Sequence, residues 1–254
     1  MAATMATAPA RAGGVGAAGS GAPALELRDV HAWYGESHIL HGVTLSVGRG
    51  EVVTLLGRNG AGRTTTLRAI MGLTGRREGS IRVDGVETIG LPTHRIARLG
   101  IGYCPEERGI FATLSAQENL LLPPTLKSGA GMSIDEIYAM FPNLKERASS
   151  QGTRLSGGEQ QMLAVARILR TGASLLLLDE ISEGLAPVIV QALARMILQL
   201  KAKGYTVVMV EQNFRFAAPL ADRFYVMEHG RIVEAFDAAQ LPAKQDTLHE
   251  LLGV

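Results

Sequence analysis

The chain has 254 residues, of which 46% are hydrophobic, 19% are charged and 5% are aromatic, all within ordinary ranges for a globular protein. Its 25 Lys and Arg residues nearly balance its 24 Asp and Glu residues, which argues against a basic protein that coats nucleic acid and against an acidic disordered tail. The single cysteine excludes an internal disulfide framework, and every apolar run is too short for a membrane-spanning helix.

Residues 1–23 are almost entirely Ala, Gly, Thr, Ser and Pro. This composition predicts a disordered extension and not a secretory signal. Beyond it, short apolar runs typical of strands alternate with runs of helical periodicity. The predicted strands are 25–33, 43–47, 51–56, 80–83, 100–104, 174–179, 206–210 and 224–228.

The predicted helices are 64–71, 93–99, 116–121, 134–140, 159–170, 188–201 and 213–221. Apolar strands that alternate with helices predict a mostly parallel central sheet that is buried on both faces. The first strands predict an antiparallel β region at the N-terminus. No strand pattern is evident over residues 107–171, which predicts a helical subdomain inserted into an α/β domain that spans residues 24–254.

A glycine-rich loop follows the predicted strand 51–56 and leads into the helix 64–71. It consists of Gly57, Arg58, Asn59, Gly60, Ala61, Gly62, Arg63 and Thr64. The pattern for a phosphate-binding loop is G-x-x-x-x-G-K-[ST], and only Arg63 departs from it. Glycines let backbone N–H groups point at phosphates, and the helix N-terminus favours an anion. We therefore predict that this loop and Thr65 bind a nucleotide, with the Thr64 hydroxyl on Mg²⁺.

Residues 175–180 read Leu-Leu-Leu-Leu-Asp-Glu, an apolar strand that ends in two carboxylates. In a parallel sheet, ligands bind beyond the carboxyl ends of the strands. We therefore expect Asp179 to hold Mg²⁺ through a coordinated water, and Glu180 to orient or deprotonate the attacking water. Without the phosphate loop, the same residues would be interpreted as a strand that ends in solvated acids.

Residues 155–161 read Leu-Ser-Gly-Gly-Glu-Gln-Gln, a turn that leads into a predicted helix. This heptapeptide resembles the signature motif of ATP-binding-cassette (ABC) ATPases. The phosphate loop and the acidic pair occur in the same order as in that family, and the resemblance covers residues 24–254. It implies the fold of a P-loop NTPase, and ATP and Mg²⁺ as ligands.

The family arranges two such domains head to tail, so that each ATP lies between one phosphate loop and the signature motif of the partner. The resemblance therefore implies that the chain pairs with a second ABC ATPase subunit, identical to it or different. The residues that would contact the partner's nucleotide are Ser156, Gly157, Gly158 and Gln160.

Three further family positions can be assigned. Tyr34 falls where the family has an aromatic residue stacked on adenine. Glu106 falls at the glutamine loop, where it could reach Mg²⁺ or the water. Gln212 falls at the histidine switch, where it can donate a hydrogen bond to the γ-phosphate but carries no positive charge. The resemblance thus implies Glu180, Gln212 and Glu106 as catalytic residues, and Thr64, Asp179 and Glu106 as metal ligands.

Segments 105–111, 183–187 and 210–213 resemble those of the shorter ATPase subunit of branched-chain amino acid importers, with urea and amide importers as close relatives. The resemblance implies ATP hydrolysis that energises an importer at the inner face of the cell membrane. The partners would be transmembrane permease subunits and, indirectly, an extracytoplasmic solute-binding protein, and no nucleic acid.

Two alternatives remain. Arg63, Glu106 and Gln212 depart from the general family pattern, which also suits a weakly hydrolysing, regulatory half of a heterodimeric transporter. A soluble ABC ATPase of DNA repair or translation is disfavoured, because such proteins usually carry two cassettes or a long coiled-coil insertion, and neither is evident in the sequence.

Overall fold

A computed structural model of the protein describes residues 21–126 and 131–253. Most of the predicted disordered extension, residues 1–20, lies outside the described residues. The strands in the described part are Leu25–Tyr34 (β1), Ser37–Val47 (β2), Val52–Gly57 (β3), Arg77–Val83 (β4), Val86–Glu87 (β5), Ile101–Cys104 (β6), Leu175–Asp179 (β7), Thr206–Val210 (β8), Arg223–Glu228 (β9) and Arg231–Asp237 (β10).

The α-helices in the same residues are Arg63–Ile70 (α1), Thr93–Ala97 (α2), Ala116–Leu121 (α3), Ile134–Met140 (α4), Pro142–Glu146 (α5), Gly157–Thr171 (α6), Pro187–Ala202 (α7), Phe214–Ala217 (α8) and Gln245–Leu252 (α9). Two short 3₁₀ segments lie at Gly152–Arg154 and Ala238–Lys244. None of the helices in the described residues is long and apolar enough to cross a membrane.

The strands form two sheets. The first is antiparallel, with the order β2-β1-β4-β5, and the second has the order β10-β9-β3-β8-β7-β6. In the second sheet only the β9–β10 pair is antiparallel, and the remaining neighbours are parallel. The predicted fold class, a mostly parallel sheet with an N-terminal antiparallel region and inserted helices, is confirmed.

Burial explains why the central strands read as unbroken apolar runs. Every residue of β3, β7 and β8 is buried, as expected for parallel strands that are covered on both faces. Their carboxyl ends meet at one edge of the sheet, where the phosphate loop follows β3 and Asp179 ends β7. The fold thus brings together groups that are far apart in the sequence.

The helices α3–α6 all fall within the predicted insert of residues 107–171. Three of them begin at a serine whose side chain accepts a hydrogen bond from the N–H of a glutamate three residues later, while that glutamate accepts from the serine N–H. This reciprocal pair, a capping box, satisfies N–H groups that the first helical turn leaves unpaired. The capped helices begin after Ser115, Ser133 and Ser156.

Some predicted boundaries are wrong. The predicted helix 213–221 is much shorter in the structure, where α8 ends at Ala217. Pro219 explains this difference, because it lacks the N–H that would continue the helix by donating to the carbonyl oxygen of Arg215. The prediction also missed β10, which pairs with β9 across a tight turn at His229 and Gly230. Only one of its seven residues is buried, so its apolar pattern is weak.

Candidate functional site

The phosphate loop connects β3 to α1 through a backbone that only glycine adopts easily. Gly62, the residue that precedes α1, has a φ of 104°. Gly57 lies so close to β9 that an added Cβ would sit 2.5 Å from the carbonyl oxygen of Met227. Larger residues at these positions would therefore displace the loop, whose shape lets its N–H groups face a phosphate.

Thr64 and Asp179 meet at the carboxyl edge of the sheet, as the sequence predicts for two metal-binding residues. The Thr64 hydroxyl donates to Asp179 Oδ1 at 2.9 Å, and the Tyr103 hydroxyl donates to Oδ2 at 3.0 Å. Burial raises the pKa of Asp179, and both hydrogen bonds oppose that rise. Hydroxyl and carboxylate oxygens are the ligands that Mg²⁺ prefers, so these residues fit a magnesium ion.

Arg63 and Glu180 form a buried ion pair beside this oxygen pair. Arg63 Nη2 donates to Glu180 Oε1 at 2.7 Å and to Asn59 Oδ1 at 3.2 Å, and the exposed fractions of the Arg63 and Glu180 side chains are 4% and 11%. In the described part of the chain, the buried Nη1 of Arg63 has no hydrogen-bond partner. An unpaired guanidinium nitrogen at a phosphate loop fits an anionic ligand.

The surroundings of Glu180 raise its pKa in the direction that the predicted role of general base requires. Burial raises its pKa to about 7, a hydrogen bond with Glu183 adds to the rise, and Arg63 opposes it. A base works best when its pKa lies near the operating pH. Glu180 also has a φ of 48°, in the left-handed region that a residue with a Cβ rarely adopts.

One cavity of about 450 Å³ gathers most of the predicted nucleotide residues. Ile39 and Glu183 also line it, and neither was predicted. Gly57 and Arg58 belong to the phosphate loop but do not line this cavity. The predicted residues that line it are Tyr34, Asn59, Gly60, Ala61, Gly62, Arg63, Thr64, Thr65, Glu106 and Glu180.

Gln212 lines a neighbouring cavity of about 590 Å³, together with the loop that follows Glu180. Glu180 and Glu183 line both cavities. Gln212 therefore lies beside the predicted general base, although it does not line the cavity of the phosphate loop. Its catalytic role remains a prediction.

The signature residues lie apart from this site within one chain. Ser156 caps α6: its hydroxyl accepts from the Glu159 N–H at 3.3 Å, and its own N–H donates to Glu159 Oε2 at 2.7 Å. Gln160 accepts from Arg108 and donates to the carbonyl oxygens of Gly152 and Leu155. None of Ser156, Gly157, Gly158 and Gln160 lines the cavity of the phosphate loop.

Two features of the site were missed at the sequence level. Tyr103 was not assigned a role, although its hydroxyl holds Asp179. The pair of Ser182 and Glu211 was missed as well, although it joins the loop after Glu180 to the residue before Gln212. Both contacts depend on β6 and β8 being the neighbours of β7, and a sequence pattern does not give the order of strands.

Comparisons with known proteins place these features in a family. The sequence model of the ABC transporter family matches residues 40–183, from β2 to the loop after Glu180. The branched-chain amino acid transport ATP-binding protein BraG of Pseudomonas aeruginosa is 46% identical over 211 residues, which are 82% of this chain and 91% of BraG.

Two further similarities agree with this match. The lipopolysaccharide export system ATP-binding protein LptB of Escherichia coli is 33% identical, over 79% of this chain and 85% of LptB. The dimeric ATP-binding cassette MJ0796, solved with ADP and Pi in a post-hydrolysis state, superposes with a TM-score of 0.75 at 25% identity, over 84% of this chain and 98% of MJ0796. The resemblance noted in the sequence is confirmed, and the chain belongs to the ABC transporter family.

Proposed function

We propose that the chain binds ATP with Mg²⁺, hydrolyses it and thereby powers the import of branched-chain amino acids. One observation supports the proposal that the chain hydrolyses ATP. The fold brings the phosphate loop to the two carboxylates at the end of β7, so that Thr64 meets Asp179 and Arg63 meets Glu180.

Each residue then has a distinct task. The N–H groups of the phosphate loop and the Arg63 guanidinium bind the phosphates, while Tyr34, which is 38% exposed at the cavity, stacks on the adenine. Thr64 and Asp179 hold Mg²⁺, with Glu106 nearby, and the bound ion would neutralise charge on the phosphates. Glu180 takes a proton from the attacking water, and Gln212 donates a hydrogen bond to the γ-phosphate.

The site is complete only when a second ABC ATPase subunit adds its signature motif. Ser156, Gly157, Gly158 and Gln160 serve the partner's ATP in the same way. Two observations support this arrangement: the signature lies away from the chain's own phosphate loop, and the similar cassette MJ0796 is dimeric. Hydrolysis that needs both subunits couples the reaction to their movement.

A groove between the sheet and the inserted helices is the surface where a transmembrane permease subunit would dock. The groove measures about 610 Å³ and is lined by Leu73, Pro105 and Arg167 among other residues. Leu73 and Phe111 are about half exposed, and Arg167 stacks on the Phe111 ring. Contiguous exposed apolar patches mark interaction sites, and Leu73 and Phe111 would contribute to such a patch at this groove. Docking there would hold the chain at the cytoplasmic face of the membrane. The solute-binding protein would act at the opposite, extracytoplasmic face.

The solute is proposed from similarity. BraG is 46% identical to the chain, whereas the lipopolysaccharide export protein LptB is 33% identical. Segments 105–111, 183–187 and 210–213 also favour the importers of branched-chain amino acids. Urea or short amides are the alternative solutes, because the resemblance places the urea and amide importers as close relatives of the branched-chain amino acid importers.

A second candidate function is that of a regulatory subunit that binds ATP but hydrolyses it slowly. The ion pair of Arg63 and Glu180 favours it, because the predicted general base is bonded to the residue that should bind phosphate. The two functions differ in turnover and not in nucleotide binding.

An ATPase assay on the assembled transporter separates the two functions. We expect the parent to turn over ATP at least about 100-fold faster than the Glu180→Gln variant, because general base catalysis contributes factors of this size. Equal turnover in the two proteins, with ATP still bound, would leave the regulatory function. Uptake of radiolabelled leucine and of urea into proteoliposomes then distinguishes the solutes.

A further inference from the structure

A buried carboxyl group lies directly behind the predicted catalytic residues. Glu211 is 1% exposed and Ser182 is 4% exposed. The Ser182 hydroxyl donates to Glu211 Oε2 at 2.7 Å, and the Ser182 N–H donates to Oε1 at 3.2 Å. A single neutral residue thus binds both carboxyl oxygens of Glu211.

A carboxyl group in this position is unfavourable for stability alone. Burial raises the pKa of Glu211 to about 7, although both hydrogen bonds from Ser182 lower it. An apolar residue of similar shape would avoid this desolvation, so the carboxyl group calls for another explanation. Perturbed groups of this kind cluster at functional sites.

The connections of the pair indicate its task. Ser182 lies two residues after Glu180, whose φ of 48° is a strained, left-handed conformation. Glu211 directly precedes Gln212, and the Glu180 N–H donates to the carbonyl oxygen of Val210 at 2.9 Å. The pair and this backbone bond therefore tie the loop after β7 to the end of β8 at the point where Glu180 and Gln212 project.

We propose that Ser182 and Glu211 are positioning residues that hold Glu180 and Gln212 in the relative position that hydrolysis requires. This inference rests on the proposed function, because it needs Glu180 to act as the base. Neither residue lines the cavity of the phosphate loop, so neither is expected to contact the nucleotide. The pair acts through the loop that it fixes.

The test compares four proteins in the assembled transporter: the parent, Ser182→Ala, Glu180→Gln and the variant with both changes. We expect Ser182→Ala to lower kcat about tenfold, because it removes one hydrogen bond to a carboxylate, while the KM for ATP stays within about twofold. In the Glu180→Gln background the same change should leave the residual turnover unaltered. Ser80→Ala is the matched control, because it removes a serine–glutamate bond to Glu87 in the antiparallel sheet.

Glu211→Gln is the second variant. It keeps the shape of the side chain, but its amide group cannot accept both Ser182 bonds, so kcat should again fall with KM unchanged. If the parent is active and both Ser182→Ala and Glu211→Gln keep its kcat, the inference is wrong but the proposed function stands. A change in the KM for ATP with no change in kcat would also overturn the inference. So would a fall in kcat caused by Ser182→Ala that is as large in the Glu180→Gln background as in the parent. A parent no faster than Glu180→Gln would overturn both the inference and the proposed function.

Discussion

Arg63 replaces the lysine of the phosphate-loop pattern, and the replacement changes which groups the loop can hold. Its Nη2 donates to both Asn59 and Glu180, and its second terminal nitrogen, Nη1, has no hydrogen-bond partner within the described residues. A lysine side chain instead ends in a single ammonium nitrogen, which is a compact charge and has no second terminal nitrogen. The choice of cation therefore sets how strongly the loop is tied to the predicted base before a nucleotide binds.

Substitution of this cation tests that relation. We expect Arg63→Lys to retain or raise ATP turnover in the assembled transporter, because it restores the compact donor and loosens the bond to Glu180. Arg63→Ala should instead weaken ATP binding about 10- to 100-fold, since it removes a charge-assisted contact. Steady-state kinetics and nucleotide titration measure the two effects. A large loss of turnover in Arg63→Lys would show that the surrounding residues have adapted to arginine.

Gly230 is a second residue whose role is visible only in the folded chain. It has a φ of 73°, and an added Cβ would lie 1.9 Å from the carbonyl oxygen of Ile39. Its N–H donates to the carbonyl oxygen of Ala61 in the phosphate loop, and its own carbonyl oxygen accepts from His41. The turn between β9 and β10 thus connects the phosphate loop to β2 through backbone hydrogen bonds.

We expect Gly230→Ala to lower the free energy of unfolding by at least about 3 kcal/mol, from left-handed strain and the steric clash together. Gly204→Ala is the matched control, because Gly204 has a φ of 83° but no atom within 4 Å of an added Cβ. It should lose only about 1 to 2 kcal/mol. Differential scanning calorimetry and ATP titration compare the variants, and equal Tm losses would contradict the steric argument.

The residues whose chemistry depends on local spacing could be predicted from the sequence. The phosphate loop and the Asp179–Glu180 pair are contiguous motifs, and the structure places them at one edge of the sheet. The contacts of Tyr103, Ser182 and Glu211 could not be predicted, because each joins residues in, or directly after, two different strands. Their contacts follow from the order of strands, which is set by long-range packing.

At the scale of elements, the antiparallel sheet carries a cluster of ring side chains that the sequence did not reveal. His31 and His41 are paired across β1 and β2, as are Trp33 and His38. His31 Nδ1 lies 3.0 Å from His38 Nε2, and the ring of Trp33 stacks on that of His38. The sequence spacing gave no sign of the cluster, because register shifts in both strands bring these histidines together.

This cluster predicts a dependence of stability on pH. Burial and the nearby His38, Arg231 and His31 lower the pKa of His41 below its usual value of 6.5. The unfolded chain therefore binds a proton more readily than the folded chain, so stability decreases as the pH falls through about 6.5. We expect the Tm of the parent to fall more than that of His41→Gln between about pH 7.5 and 5.5.

His94→Gln is the control for this measurement, because His94 is exposed on α2. It should show the same loss of Tm as the parent over this pH range. If His41→Gln loses as much Tm as the parent does, the cluster does not contribute to the acid sensitivity of the fold.

Elements with strong periodicity were predicted well, and weakly patterned elements were not. The predicted bounds of α3, α4 and β8 match the structure. By contrast β2 begins at Ser37, six residues before the predicted strand, because its histidine-rich first half lacks a clear apolar alternation. Helix α9 was missed as well, and Leu248 is its one buried residue.

At the scale of the whole molecule, the proposed function implies that one chain carries two halves of different sites. Its phosphate loop and its signature motif do not share a cavity. A chain of this kind is expected to hydrolyse ATP only after a second subunit supplies the missing half, so association and hydrolysis are linked. The linkage is testable because the structure provides two serines with the same local role and different predicted functions.

Ser156 and Ser133 each cap a helix with the same reciprocal bonds to a glutamate three residues later. Replacing either by alanine should cost about 1 kcal/mol of stability through the lost cap. Only Ser156→Ala should also weaken ATP-dependent association of the ATPase subunits, because the Ser156 hydroxyl can still donate to the partner's γ-phosphate while it accepts from Glu159. Light scattering with ATP and without Mg²⁺ measures association, and nucleotide titration should show unchanged ATP affinity at the phosphate loop of each separate chain. Equal association of the two variants would mean that Ser156 serves only as a cap, and the proposed contact across the subunits would have to be abandoned.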